Sequence, residues 1–176
     1  MNLEKFRQIE GSYRALDREL LKQGRLPMRP THGGYWSAAI AEEIFEAFQK
    51  LGLRRYRRFL DLGSGDGRVA LIASLFVPQA EGVEIDRELH QVALSMSRKL
   101  GLTAAFHLKN LFAHDLSGYD VLFLSPDAPL ERGMEKKLLG EMKGALIHYG
   151  HHFHPAYLKK KEVVVVNGTP ITLYVK

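Results

Sequence analysis

The sequence predicts an α/β fold built on a mostly parallel, doubly wound sheet. Three observations carry that prediction. From residue 58 onward, short apolar runs alternate with helical patterns at the spacing of successive strand–helix units. The run Val121-Leu122-Phe123-Leu124 is wholly apolar, as suits a strand covered on both faces. A glycine-rich turn, Gly63-Ser64-Gly65-Asp66-Gly67, follows the first of these strands and opens a helix.

The elements follow in chain order. Leu3, Phe6, Tyr13, Leu16 and Leu20 recur at helical intervals and predict an amphipathic helix over 3–22. Gly24, Pro27 and Pro30 end it and make an extended connector, and 32–36 reads as a loop. Ser37 is placed to N-cap a helix over 38–51, with Gly52 as its stop. A strand over 59–62 leads into the glycine turn, and a helix over 69–77 ends at Pro78. A strand over 81–85 precedes a helix over 86–100 closed by Gly101, and 104–108 reads as a third strand. After the apolar strand at 121–124, Leu130, Met134, Leu138 and Met142 mark a helix, and 145–148 a fifth strand. Residues 163–166 and 171–175 flank Asn167-Gly168 and predict a terminal antiparallel pair. The expected organisation is an N-terminal helical cap, 1–57, on a core, 58–176, within one structural domain.

Composition narrows the function. The chain has 176 residues, a formal charge of +5 and no cysteine, which excludes disulfides, a thiolate nucleophile and cysteine-bound zinc. No secretory signal and no stretch of about 20 apolar residues is present, so a cytoplasmic protein without a membrane partner is expected. Residues 1–58 hold 12 basic and 7 acidic side chains, whereas residues 59–176 hold 13 of each. The cluster Arg54-Arg55-Tyr56-Arg57-Arg58 precedes the first core strand, at the sheet edge opposite the glycine turn.

The glycine spacing separates the ligands. It is G-x-G-x-G, with Arg68 following, so it is neither the dinucleotide G-x-G-x-x-G nor a phosphate loop with G-K-S/T. Glu84 closes the second core strand, where a carboxylate accepts both hydroxyls of a ribose. A nucleoside-like ligand is therefore expected beyond the carboxyl ends of the first two core strands.

Residues 59–69, Phe-Leu-Asp-Leu-Gly-Ser-Gly-Asp-Gly-Arg-Val, with Gly82-Val83-Glu84-Ile85-Asp86, resemble the class I S-adenosylmethionine-dependent methyltransferases, across the whole core. The resemblance implies a Rossmann-like fold and S-adenosylmethionine as cofactor. It places Asp61, Gly63, Ser64, Gly65 and Gly67 at the methionine end, Glu84 and Ile85 at the ribose, and Asn110 and Leu111 beside the adenine. Asn110 departs from the family's usual Asp. Ser125-Pro126 match the first half of the D/N/S-P-P-Y/F motif of amino-directed members, whereas Asp127 and Ala128 lack its aromatic. Tyr35, Arg68, Gly82-Val83-Glu84 and the stretch 134–142 are similar to the small archaeal and mitochondrial protein-lysine methyltransferases.

The function expected from this resemblance is methyl transfer to an amine, foremost a protein lysine. The alternatives are an RNA or DNA base, a small molecule, or a non-catalytic nucleotide-binding protein of the same fold. Tyr35, Ser125, Asp127 and His148 are the candidate catalytic residues, with Tyr35, Trp36 and Phe153 desolvating the amine and Asp127 or His148 taking its proton. His151 and His154 with a carboxylate make a conceivable zinc site. Their spacing fits no helix-borne metal motif, so no metal is expected.

Overall fold

The computed structural model describes residues 2–130 and 133–176. Helix α1 (Asn2–Lys22) is followed by strands β1 (Met28–Thr31) and β2 (Gly34–Ser37) and by α2 (Ala41–Lys50). Then come β3 (Arg58–Leu62), α3 (Arg68–Ala73), β4 (Gln79–Glu84), α4 (Arg87–Leu100) and β5 (Ala104–Leu108). The second half holds β6 (Val121–Leu124), α5 (Met134–Glu141), β7 (Ala145–Tyr149), β8 (Lys159–Val166) and β9 (Thr169–Val175). Seven strands form one sheet in the order β5-β4-β3-β6-β7-β9-β8. The first five run parallel, and β9 is antiparallel to both its neighbours.

Alternation along the strands sorts the core. Phe59, Val121, Phe123 and Ile147 face α1 to α4, together with Ile9, Tyr13, Ile44, Phe48, Leu71 and Met96. Leu60, Leu62, Leu122, Leu124 and Leu146 face the other way, against Leu130, Met134, Leu138 and Met142 around α5. Burying a side chain such as Phe48, which has no accessible surface, contributes about 2–3 kcal/mol. The N-terminal segment shares this core: Phe6 stacks on Phe45 with ring centroids 4.0 Å apart.

Two local expectations are corrected. Residues 28–37 form an antiparallel hairpin in place of a connector and loop, with Met28 paired to Ser37 and Thr31 to Gly34. The turn is built locally. The Thr31 hydroxyl accepts from the Gly33 N–H at 3.2 Å and donates to the Gly34 carbonyl at 3.0 Å. Ser37 accordingly ends β2 and does not cap a helix. The helix starts later, with Ile40 at the N-cap position and no side-chain capping bond. Acidic Glu42 and Glu43 in its first turn favour that end through the helix dipole.

Candidate functional site

Strand order reverses between β3 and β6, so the turns that follow them diverge and leave a crevice at their carboxyl ends. A cavity of about 710 Å³ lies there. Ten of the thirteen residues picked out from sequence line it: Asp61, Gly63, Ser64, Glu84, Ile85, Asn110, Leu111, Tyr35, Ser125 and Asp127. Gly65, Gly67 and His148 do not.

The two glycines serve backbone geometry instead. Gly67 has φ +84°, and a Cβ there would lie 2.6 Å from the Ala93 methyl and 2.8 Å from the Phe106 ring. It lets α3 start tight against α4 and β5. Gly65 has φ +53°, and a Cβ there would overlap the Trp36 indole.

The wall formed by β3 and β4 is polar and partly unpaired. Asp61 is 3% exposed, and its Oδ2 has no hydrogen-bond partner; nor has the Ser64 hydroxyl. Burial first, and then the Glu84 and Asp66 charges, push the Asp61 carboxyl well above the usual carboxylate range. Glu84 is held differently. Its Oε2 accepts from the Gly65 N–H at 2.8 Å, and its Oε1 from the Ile85 and Asp86 N–H groups at 2.8 and 2.7 Å. At the end of β5, Asn110 Oδ1 accepts from the Phe112 N–H at 2.9 Å and caps the short 3₁₀ turn Leu111–Ala113.

Behind the glycine turn sits a buried ion cluster. Arg68 bonds Asp66 Oδ2 at 2.7 Å and Asp17 Oδ1 of α1 at 2.8 Å, and its guanidinium lies 4.7 Å from the Tyr13 ring centroid. Burial opposes the Arg68 charge, but the Asp66 charge and hydrogen bonds outweigh it and hold the guanidinium protonated. Tyr13 donates to the Asp66 carbonyl at 2.8 Å. Helix α1 is thereby tied to the loop that forms the cavity wall.

The β1–β2 hairpin crosses the mouth. The Tyr35 N–H donates to Asp127 Oδ2 of the loop after β6. Arg29 reaches Asp86 with both guanidinium nitrogens, at 3.2 and 3.0 Å, and Asp86 also N-caps α4. A Cβ at Gly33 would lie 2.7 Å from the Ile85 side chain. The hairpin thus rests on three turns of the sheet edge. Sequence reading missed this because Arg29 belongs to no motif and because it assigns Tyr35 and Trp36 to the acceptor alone. The one available signal was the pair Gly33-Gly34, which allows backbone to approach Ile85 and Asp127 closely.

His148 lies outside the cavity. It is fully buried on β7, both ring nitrogens lack partners, and its ring packs on His154 with centroids 4.3 Å apart. Burial, then the neighbouring His154 charge, lowers its pKa to about 4. His154 donates to or accepts from the Tyr174 hydroxyl at 2.9 Å. Phe153, exposed and with φ +58°, is also not part of the cavity wall. The described residues contain no group of three or more His, Cys, Asp or Glu arranged to hold a metal ion. None of their helices is long and apolar enough to cross a membrane.

No protein-family model and no curated protein matches the chain. Solved structures do. An RNA methyltransferase from Salinibacter ruber in complex with S-adenosyl-L-homocysteine superposes with a TM-score of 0.63 at 21% identity, over 74% of this chain and 88% of that one. The Pyrococcus abyssi tRNA (uracil-54, C5)-methyltransferase in complex with S-adenosyl-L-homocysteine gives 0.66 at 14% identity, over 86% of this chain but 41% of that one. A mutant of MtNAS in complex with S-adenosylmethionine gives 0.66 at 15% identity, over 99% of this chain and 71% of that one. The likeness establishes the fold as the Rossmann-like, class I methyltransferase type.

Proposed function

We propose that the chain is an S-adenosylmethionine-dependent methyltransferase whose acceptor is an amine, foremost a protein lysine. The observation that carries the cofactor is the pair of orphaned buried groups, Asp61 Oδ2 and Ser64 Oγ, on the cavity wall beside the backbone-held Glu84 carboxylate. An unpaired buried carboxylate costs free energy until a donor reaches it, and the cofactor's ammonium is such a donor. Glu84 has lone pairs left for ribose hydroxyls, and Asn110 and Leu111 stand where the base would lie. When bound, the cofactor supplies a methyl group on a sulfonium, open to in-line displacement.

The chain's own residues then select and prepare the acceptor. Asp127 sets a carboxylate at the mouth that attracts a cationic amine, while Arg68 and Lys109 on the same lining keep the cavity from being uniformly acidic. Tyr35 and Trp36 line the same mouth and desolvate the amine, lowering its pKa toward the neutral, nucleophilic form. Asp127 Oδ2 is engaged by the Tyr35 N–H, so Oδ1 is the atom left to receive the departing proton. Asp127 thereby joins hairpin closure to the acceptor side of the site.

Labelled S-adenosylmethionine and cell lysate test both halves. Label that survives nuclease but not protease supports a protein acceptor; the reverse pattern transfers the assignment to a nucleic-acid base. In that assay Asp127→Ala is expected to lower turnover by about 100-fold, while His148→Leu leaves it within a few-fold. Absence of S-adenosylmethionine binding in calorimetry would remove the whole reading.

A further inference from the structure

The edge of the sheet opposite the cavity gathers cations that are far apart in sequence. Arg57 precedes β3, its carbonyl accepting from Gln79 at the start of β4. Lys143 lies just before β7, whose first residue, Ala145, bonds the Asp120 carbonyl that precedes β6. Lys159 opens β8 opposite Val175, and Lys176 follows at the end of β9. Arg54 and Arg55 stand in the 3₁₀ turn that leads into β3. All six side chains are exposed.

Several acids near this edge are already engaged. Asp120 Oδ2 accepts the Arg57 and Arg58 N–H groups at 2.8 and 2.9 Å. Glu141 holds Lys137 at 2.7 Å, and Glu46 holds Lys50 at 2.7 Å. Among the described residues, Arg57, Lys143, Lys159 and Lys176 form no ion pair. Adjacent strands are about 4.8 Å apart. Four strand steps from β3 to β8 therefore spread these cations along roughly 19 Å.

We propose that this edge binds the phosphate backbone of RNA, away from the cavity. A row of separate cations matches a backbone of repeating charges, whereas a single phosphate would engage only one or two of them. A protein partner would need a buried apolar or aromatic centre to its interface. These cations sit on helix ends and strand ends, and the aromatic rings among them, Phe76 and Tyr56, lie under the Arg54 and Arg55 guanidinium groups. Phosphate binding needs only the cations, through release of condensed counterions. RNA docked here leaves the cavity mouth, at the opposite edge of the sheet, free. Charge placement alone carries this site, which stands whether or not the chain transfers methyl groups.

The test is fluorescence anisotropy with a fluorescein-labelled 20-nucleotide single-stranded RNA and the whole chain, without cofactor, over a salt titration. The parent is expected to bind with strong salt dependence. Arg57→Gln combined with Lys143→Gln, Lys159→Gln and Lys176→Gln should weaken binding more than tenfold at 50 mM salt. Each cation removed from the row should reduce the log–log salt slope by about 0.7. A control variant, Lys5→Gln with Arg7→Gln and Arg18→Gln on α1, should bind within about threefold of the parent. Equal weakening by both variants, or a parent that does not bind at 50 mM salt, overturns the proposal. Should the quadruple variant not fold, lysine acylation footprinting of the parent decides: RNA must protect Lys143, Lys159 and Lys176, and unchanged labelling refutes the site.

Discussion

Asp61 is buried at the carboxyl end of β3 with Glu84 and Asp66 as charged neighbours, and it titrates far above an ordinary aspartate. By linkage, a carboxyl whose folded pKa exceeds its unfolded value of about 3.9 stabilises the fold fully below that value, and the contribution fades as pH rises through the folded pKa. Asp61→Asn cannot ionise, so thermal unfolding of the variant should lack this decline and match or exceed the parent's Tm at neutral pH. A cationic cofactor favours the carboxylate, so the parent's affinity should rise with pH over the same range. The variant should bind at least about tenfold more weakly, with a flat pH profile in calorimetry. Unaltered affinity in Asp61→Asn would show that the orphaned oxygen faces no ligand. The place of Asp61 on the cavity wall was legible from sequence through the resemblance of residues 59–69 to the class I methyltransferases, which implies a cofactor-facing carboxylate there. The environment of His148 was not. Its position at a strand end suggested a catalytic imidazole, but the side-chain alternation of β7 turns it to the α5 face, under His154 and beside Tyr174.

The β1–β2 hairpin is the element in which reading and structure differ most. A two-stranded ribbon has little stability alone, so its order comes from what it rests on. Those contacts are Arg29 on Asp86, Tyr35 on Asp127 and Trp36 over Gly65. None has a local signal, since each joins residues at least 29 positions apart. Gly65→Ala places a methyl group into the Trp36 indole at a backbone φ of +53°. It should therefore lower cofactor affinity about tenfold or more and increase hydrogen exchange across 28–37. Adding Trp36→Ala should restore part of the hairpin's protection. If Gly65→Ala leaves exchange in the hairpin unaltered, the indole contact does not hold the strap. By contrast α4 was predicted nearly to the residue, because Asp86 caps one end and Gly101, at φ +61°, the other.

At the scale of the whole molecule, Arg68 joins the N-terminal segment to the cofactor-side loop. Removing a charge from a buried cluster leaves its partners uncompensated, at about 3–5 kcal/mol. Arg68→Ala should lower the unfolding free energy in urea by an amount of that order. Asp17→Ala, whose side chain is 25% exposed, should cost markedly less. Equal effects would mean that α1 docks through Phe6, Ile9 and Tyr13 alone. The same scale governs charge. Acids and bases are equal in number after residue 58, but folding gathers Lys143, Lys159 and Lys176 with Arg57 on the edge opposite the cavity, where they form no ion pair among the described residues.

Sheet class, helix ends and most of the cofactor-facing residues could be read from the chain, because they depend on periodicity, capping and a short contiguous turn. Hairpin seating, the exclusion of His148 and Phe153 from the cavity, and the cationic edge could not. They depend on which strands become neighbours and which face each side chain takes. These are relations across dozens of residues, set by packing once the sheet has closed on its helices.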